Sequence, residues 1–437
     1  MKRKLISTFL SLAFALALAP LNFSQGRSET YAIRNARIVT VTKGVIENGT
    51  VVISDGKITA VGANVSVPGN AKVIDARGLS VYPGMIDGGT VMGLTEIGQG
   101  ALGTVDSAEM GDNNANIRAE IAVHPDSAHI RVTRANGITT VLTAPRGGMI
   151  AGQGALINLD GWTPQEMLVK AQVTMQINWP GAGGGGGGFG GGGGQQGNQA
   201  EIRRQRDRQI ENLKKILGEA RAYADAKDAQ AKDPSLPRQK MDLRLEGLVP
   251  VVRGQMPMMI NTQLEDDIKK AISFADEMKI KIIIGGGVDA YKVADQLKAK
   301  NIPVVLSSVM RMPAREDDPY DIAYSNAGLL AKAGVKIAFQ TQGAAEARDL
   351  PYNAGMSAAF GLSKEEALKS VTINPAEIFG VADQLGSIEV GKMANLIVTD
   401  GDPLEIRTQI KHMFIRGRQV SLTSRHTELY ERYKARP

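Results

Sequence analysis

The chain contains no cysteine and only four histidines among its 437 residues. Without cysteine there is no disulfide, no thiolate metal ligand and no lipid anchor on an N-terminal thiol, so stability must come from a large core. An excess of charge is also missing. The formal net charge is +6, and Lys2, Arg3 and Lys4 precede a mostly apolar run over residues 5–19. That order reads as a secretory signal, too short and too N-terminal for a membrane span. Ser24-Gln25-Gly26 offers small residues for cleavage, which makes 1–26 the signal peptide and leaves a mature charge of +3. So small an excess gives no basis for nucleic-acid or membrane-surface binding. The expected location is periplasmic or secreted, with no membrane attachment after processing.

Several catalytic phrases are absent as well. There is no HExxH, no GxSxG, and no Gly-Lys-Ser/Thr after the glycine run GAGGGGGGFGGGGGQQGN at 181–198. Glycine at that density cannot bury a core and reads as a flexible insert rather than a phosphate cradle. His124 and His129 lie five apart in AVHPDSAHI with Asp126 between them, but Pro125 disfavours one regular helix face. They read as a structural or solvated pair. His412 precedes the strand-like run MFIRGR and His426 lies in a polar tail, both out of reach of a central site.

What is present is a folded soluble composition, 43% hydrophobic and 22% charged. Residues 31–82 read as β, with Asp55-Gly56 marking a two-residue hairpin between 50–53 and 58–61. Residues 386–388, 394–399 and 413–420 repeat that character at the other end. Between them strand-like runs at 137–143, 258–261, 280–284, 302–306 and 335–339 alternate with helical stretches. In 266–278, Ile268, Ala271, Ile272, Ala275 and Met278 form one apolar stripe. Ser363 and Glu366 form a capping box before another helix. A charged helix is expected over 201–229, with Ile210, Leu213, Ile216, Leu217 and Ala220 on one side and a crowd of arginines in its first turns.

This alternation predicts an α/β chain: a (β/α)8 TIM-type barrel over 83–380, plus a small β-sandwich from both termini, 27–82 and 381–425, and a tail at 426–437. An open doubly wound sheet fits the same apolar runs. The paired terminal β segments favour the barrel.

Three phrases carry a resemblance. ARIVTV…VVISDGKITAVG at the start and NPAEIFGVADQLGSIEVGKMANLIVTDGDPLE at 374–405 are similar to the opening and closing stretches of the amidohydrolase superfamily. TRANGITTVLTAPRGGMIAGQGALINLDG resembles its imidazolonepropionase-like branch. The resemblance implies the barrel-plus-sandwich fold, hydrolysis of non-peptide carbon–nitrogen bonds, and a metal, normally zinc. In the family PG-x-ID-x-His-x-His follows the first barrel strand, histidines follow strands five and six, and an aspartate follows strand eight.

Here PGMIDGGTVMGL puts Gly89 and Val91 at the first pair. The later positions fall on Asn261 in PMMINTQ, Gly286 in IIIGGGVDAY and Gln342 in IAFQTQGA, and the bridging lysine of some branches falls near Asn158. Glycine and valine have no donor, and neutral amides are weak zinc ligands. Glutamine cannot act as the general base. No metal and no cofactor are therefore expected. The implied protein is a non-catalytic homologue (a pseudoenzyme) that binds a small polar ligand or pairs with an active relative or a second copy. The alternative is an active cyclic-amide or dipeptide-type hydrolase with a metal-free or displaced site. Thr90, Asn158, Asn261 and Gln342 are the candidate ligand-binding residues, with Gln340 beside them; Asn261 and Gln342 are expected to anchor a neutral amide, ureide or peptide. Arg315 joins them from RMPAREDDPYD at 311–321, where it could hold a carboxylate or pair with Glu316, Asp317 and Asp318.

Overall fold

The computed structural model describes residues 29–98, 102–181 and 199–436. The expected signal peptide and nearly all of the glycine insert lie outside the described residues.

The terminal segments build one eight-stranded sheet. From the N-terminal side come β1 (Tyr31–Val39), β2 (Val45–Ser54), β3 (Lys57–Gly62), β4 (Lys72–Asp75) and β5 (Ser80–Pro83). Asp55 and Gly56 both take the left-handed backbone that a tight hairpin needs, and they join β2 to β3. The expected sandwich is thus a single continuous sheet. Its cause lies in β1, whose first half pairs with β4 and second half with β5, on either side of two register shifts. Such bulges bend a sheet over its own face. Ile33, Ile38, Ile53, Leu396 and Phe414 fill the enclosed core.

The barrel runs through β6 (Met85–Thr90), β7 (Ile138–Thr143), β8 (Ile150–Asn158), β9 (Leu168–Asn178), β10 (Met258–Thr262), β11 (Ile282–Gly286), β12 (Val304–Leu306) and β13 (Ile337–Phe339). These strands follow one another around a second eight-stranded sheet. A bridge from Thr90 to Gln342 brings its two edges together, so the barrel is nearly closed and the open doubly wound alternative is ruled out. Each strand sends one apolar side chain to the centre: Ile86, Leu142, Leu156, Val173, Met259, Ile283, Val305 and Ala338.

One strand departs from the (β/α)8 pattern. β8 is antiparallel to both β7 and β9. Its links, 144–149 and 159–167, are too short for the crossover that a parallel neighbour requires.

The chain returns to the terminal sheet with β14 (Leu396–Thr399), β15 (Ile410–Ile415) and β16 (Arg418–Gln419). β14 pairs with β5, so the far ends of the chain share one sheet. Residues 386–388 are not a strand, although Ile388 N donates to Thr40 O. His412 lies within β15 rather than before it, and the expected tail is the helix Arg425–Lys434, opened by a capping box on Ser424.

The helices follow their stripes. In Glu265–Met278, Ile268, Ala271, Ile272 and Ala275 are buried, and three acids in the first turn favour the N-terminal dipole. The long helix Gln199–Lys232 buries Leu213, Leu217 and Ala220, and its Arg206 pairs with the buried Asp267 at 2.5 Å.

Candidate functional site

The C-terminal ends of the parallel strands form the barrel mouth, where sites in this architecture are built. The apolar central layer gives way there to amides and glycines. On β10, Met259 is followed two residues on by Asn261, and on β11 Ile283 by Gly285. These two interlock, because a Cβ on Gly285 would lie 2.4 Å from Asn261 Oδ1. Asn261 Nδ2 donates to Gln176 Oε1 at 3.4 Å, and Gln176 Nε2 donates to Thr174 Oγ1 at 2.7 Å. The glutamine of β9 therefore completes a small amide cluster.

Two family ligand positions are filled from next door. The Cβ of any residue replacing Gly89 would stand 2.6 Å from Oε1 of the buried Gln340, whose Nε2 donates to Val305 O at 3.2 Å. A Cβ at Gly286 would meet the Gln263 amide at 2.3 Å. Gly286 also has φ +99°, a backbone region that disfavours a side chain. Val91 is buried and apolar. A family-type zinc needs three or more protein donors. Among the described residues, no three histidine, cysteine, aspartate or glutamate side chains are grouped to hold a metal ion. The residues at these positions do not fit the metal.

The seam between β6 and β13 is held by Asp87. Its carboxylate accepts from Gly89 N at 3.0 Å, Thr341 N at 3.2 Å and the Thr341 hydroxyl. Complete burial pushes the Asp87 carboxyl up to about 7, even though these donors pull it down. Gln342 sits just beyond, in the left-handed region at φ +66°. Its N–H donates to Gly89 O at 2.8 Å, and its own carbonyl accepts from Val91 N at 3.1 Å and from the Arg146 guanidinium.

The structure does not bring all the expected residues together. Thr90 and Gln342 meet at the seam, but the Thr90 hydroxyl donates to Gly343 O at 2.9 Å and is buried. Asn261 faces the mouth from the opposite wall. Asn158 does not belong to the site. Because β8 runs antiparallel, its end lies at the barrel base, where Asn158 Oδ1 accepts from Thr140 Oγ1 at 3.1 Å and Asn395 Nδ2 at 2.8 Å.

Arg315 is at the rim but engaged. It grips the buried Asp289 in a two-pronged contact at 2.7 and 3.2 Å, and it pairs with Asp318 rather than Glu316 or Asp317. His124 and His129 are structural: His124 Nδ1 accepts from Asp126 N, and His129 Nε2 lies 2.9 Å from Glu96 O. Gln263, Gln176 and Arg146 went unmarked in the sequence. Arg146 had one available signal, its place just after a parallel strand in TAPRGG.

Comparison with known proteins agrees with this architecture. A model of the amidohydrolase family matches residues 293–423. An adenine deaminase of Listeria monocytogenes is 30% identical over 123 residues, 28% of this chain and 16% of the deaminase. An amidohydrolase of Hapsidospora irregularis is 24% identical over 85% of this chain, which spans only 39% of that protein. Imidazolonepropionase of Mesorhizobium japonicum is 23% identical over 86% of this chain and 93% of its own length. The solved structure of an amidohydrolase from Thermotoga maritima superposes with a TM-score of 0.78 at 26% identity, over 90% of this chain and 99% of that one. A family match in the closing third and a structural match along nearly the whole length lead to one conclusion: residues 293–423 match the amidohydrolase family, and the chain as a whole has the amidohydrolase fold.

Proposed function

We propose that this chain is a non-catalytic amidohydrolase-superfamily protein, exported from the cytoplasm, whose barrel mouth binds a small polar ligand through side-chain amides. It acts alone, as a homo-oligomer or beside an active relative. The observation that carries this reading is the Gln340 amide packed over Gly89, with Gln263 packed over Gly286. Space that ligand histidines need is taken by neutral side chains. Asn261 and Gln342 line the same mouth, and amides offer donors and acceptors without the desolvation cost of charge.

An active cyclic-amide or dipeptide-type hydrolase would need a base at this mouth. Asp87 is a poor one, since it is fully buried and both oxygens already accept hydrogen bonds. The test is metal content and turnover of the gently purified protein. Zinc, manganese and nickel are expected below about one-tenth of an equivalent, since tight binding needs three or four ligands. Hydrolysis of cyclic amides and dipeptides is expected to be absent. Near-stoichiometric metal, with stability lost on chelation, overturns the reading; turnover that survives chelation establishes the hydrolase alternative.

A further inference from the structure

The opposite end of the barrel holds a cavity of its own, on the side of β9 to β12. β9 is longer than its neighbour β10 can cover. Their parallel pairing begins only at Met175 and Met258, so residues 168–174 have a strand partner on the β8 side alone. Even there the register slips between Gly154 and Leu156, opposite 171–173, and Gln172 takes the left-handed backbone at φ +51°. A bulge of this kind bends a strand away from its neighbours. Between that overhang and the N-terminal ends of β11 and β12 a space of about 460 Å³ is left. Small-molecule sites usually measure roughly 300–1,000 Å³.

The floor of this cavity is apolar and its opening is basic. Val173 and Ile283, two of the side chains that fill the barrel centre, line it together with the buried Phe379. Lys170 is fixed at the opening. Its ammonium donates to Phe379 O at 2.9 Å and Gly380 O at 3.2 Å, just past the helix Ile373–Ile378. An ammonium has three N–H donors, so one is left. Gly380 makes room for it: the residue has φ +65°, and a Cβ there would stand 3.1 Å from Lys170 Nζ. Lys281 lines the same space, and its ammonium has no hydrogen bond or ion pair among the described residues. The two acids of the lining are already matched, Asp276 with Lys300 at 2.7 Å and Glu377 with Lys336. Lys170 and Lys281 are left with no acid to balance them.

We propose that this cavity is a second binding site, separate from the mouth, for a small carboxylate with an aliphatic body. The chain lies on Val173, Ile283 and Phe379, and the carboxylate sits between Lys170 and Lys281. A floor that reaches the barrel core favours burial of an apolar chain. The lysines keep their charge at the opening, where the carboxylate stays near water and loses little solvation. None of the three floor residues offers a polar side chain, so the ligand carries its charge at one end only. The site stands independently of the amide-lined mouth.

Titration calorimetry at pH 7 with hexanoate, octanoate, hexanamide and hexylammonium tests this. Hexanoate is expected to bind about fivefold tighter than hexanamide, with affinity falling as salt rises, and hexylammonium is expected not to bind. Octanoate, two methylenes longer, should bind about tenfold tighter than hexanoate. Lys281→Met should weaken octanoate about threefold to fivefold, and the double change with Lys170→Met about tenfold or more. Lys281→Glu, at an exposed position, keeps the test independent of folding and should weaken octanoate about tenfold. Lys215→Met, on the exposed face of the helix Gln199–Lys232, and Asn261→Ala at the mouth should both leave octanoate binding unchanged. Equal binding of hexanoate and hexanamide, no gain from the longer chain, or octanoate binding that survives Lys281→Glu overturns the proposal. Loss of octanoate binding in Asn261→Ala places the ligand at the mouth and also overturns it. No binding of any probe at millimolar concentration overturns it and leaves the reading of the mouth standing.

Discussion

At the base of the barrel, the buried Asn395 donates to Thr140 Oγ1 at 3.1 Å and Asn158 Oδ1 at 2.8 Å, and accepts from Arg416 N at 2.9 Å. Every polar group in that joint has a partner within the protein, and the joint ties β14 of the terminal sheet to β7 and β8 of the barrel. At the mouth, Gln263 Oε1 and Ser307 Oγ are buried with no partner among the described residues. The base thus behaves as a structural fastening whose hydrogen bonds are closed among themselves. The mouth retains hydrogen-bonding capacity that only water or a ligand can meet, and buried polar groups in native proteins are rarely left unmet.

That contrast is broken or sharpened first by pH. The folded Asp87 carboxyl holds its proton up to about 7, whereas in the unfolded chain it ionises near 4. Between those values the folded state binds more protons than the unfolded one, so stability declines as pH rises from about 4 to about 7 and is flat beyond. The fall attributable to this one group is at most about 4 kcal/mol. Urea denaturation across that window checks it, and Asp87→Asn should remove the corresponding slope. A parent whose stability rises steadily through the same window would contradict the buried-acid account of the β6–β13 seam.

At the base, Asn395→Ala deletes one donor and one acceptor and strands Asn158 Oδ1 and Arg416 N without their partner. A loss of about 3 kcal/mol is expected. The same measurement on Gln263→Ala at the mouth should show little loss, because Gln263 Oε1 has no partner to lose among the described residues. Equal losses at the two positions would erase the distinction between fastening and site.

Much of the fold was legible because local signals agreed with one another. The Asp55-Gly56 turn, the apolar stripe at Ile268, Ala271, Ile272 and Ala275, and the closing phrase at 374–405 each led to the element observed. β8 was not legible in the same way. All of its residues are buried, so it shows no alternation of apolar and polar side chains, and nothing local marks its direction. Asn158 was misplaced for that reason: a parallel strand would have carried it to the mouth. At the site, Gly89 and Val91 could be read directly at the positions where the resemblance implies a histidine pair. What packs beside those positions could not. Gln340 reaching over Gly89, and Arg146 reaching Gln342 across 196 residues of sequence, depend on side-chain directions that only the closed barrel sets.

The smallest expected effect is also the one closest to the proposed change of chemistry. If the mouth were merely a metal site missing a ligand, restoring a histidine at position 89 would fit easily and bring back affinity for zinc. The geometry argues otherwise. A Cβ at Gly89 meets Gln340 Oε1 at 2.6 Å, and Gln340 is buried with its amide committed to Val305 O. Gly89→His must displace that amide, and overpacking of this kind costs about 2 kcal/mol. Adding Gln340→Ala opens the space and should recover most of the loss, so the two changes are strongly non-additive. Zinc should still not bind, even with Val91→His as well: Gln263 continues to cover Gly286, and Gln342 supplies no carboxylate. Thermal denaturation with and without zinc gives the answer. A Gly89→His protein as stable as its parent, or one that gains stability with added zinc, would show that the mouth is vacant rather than refilled.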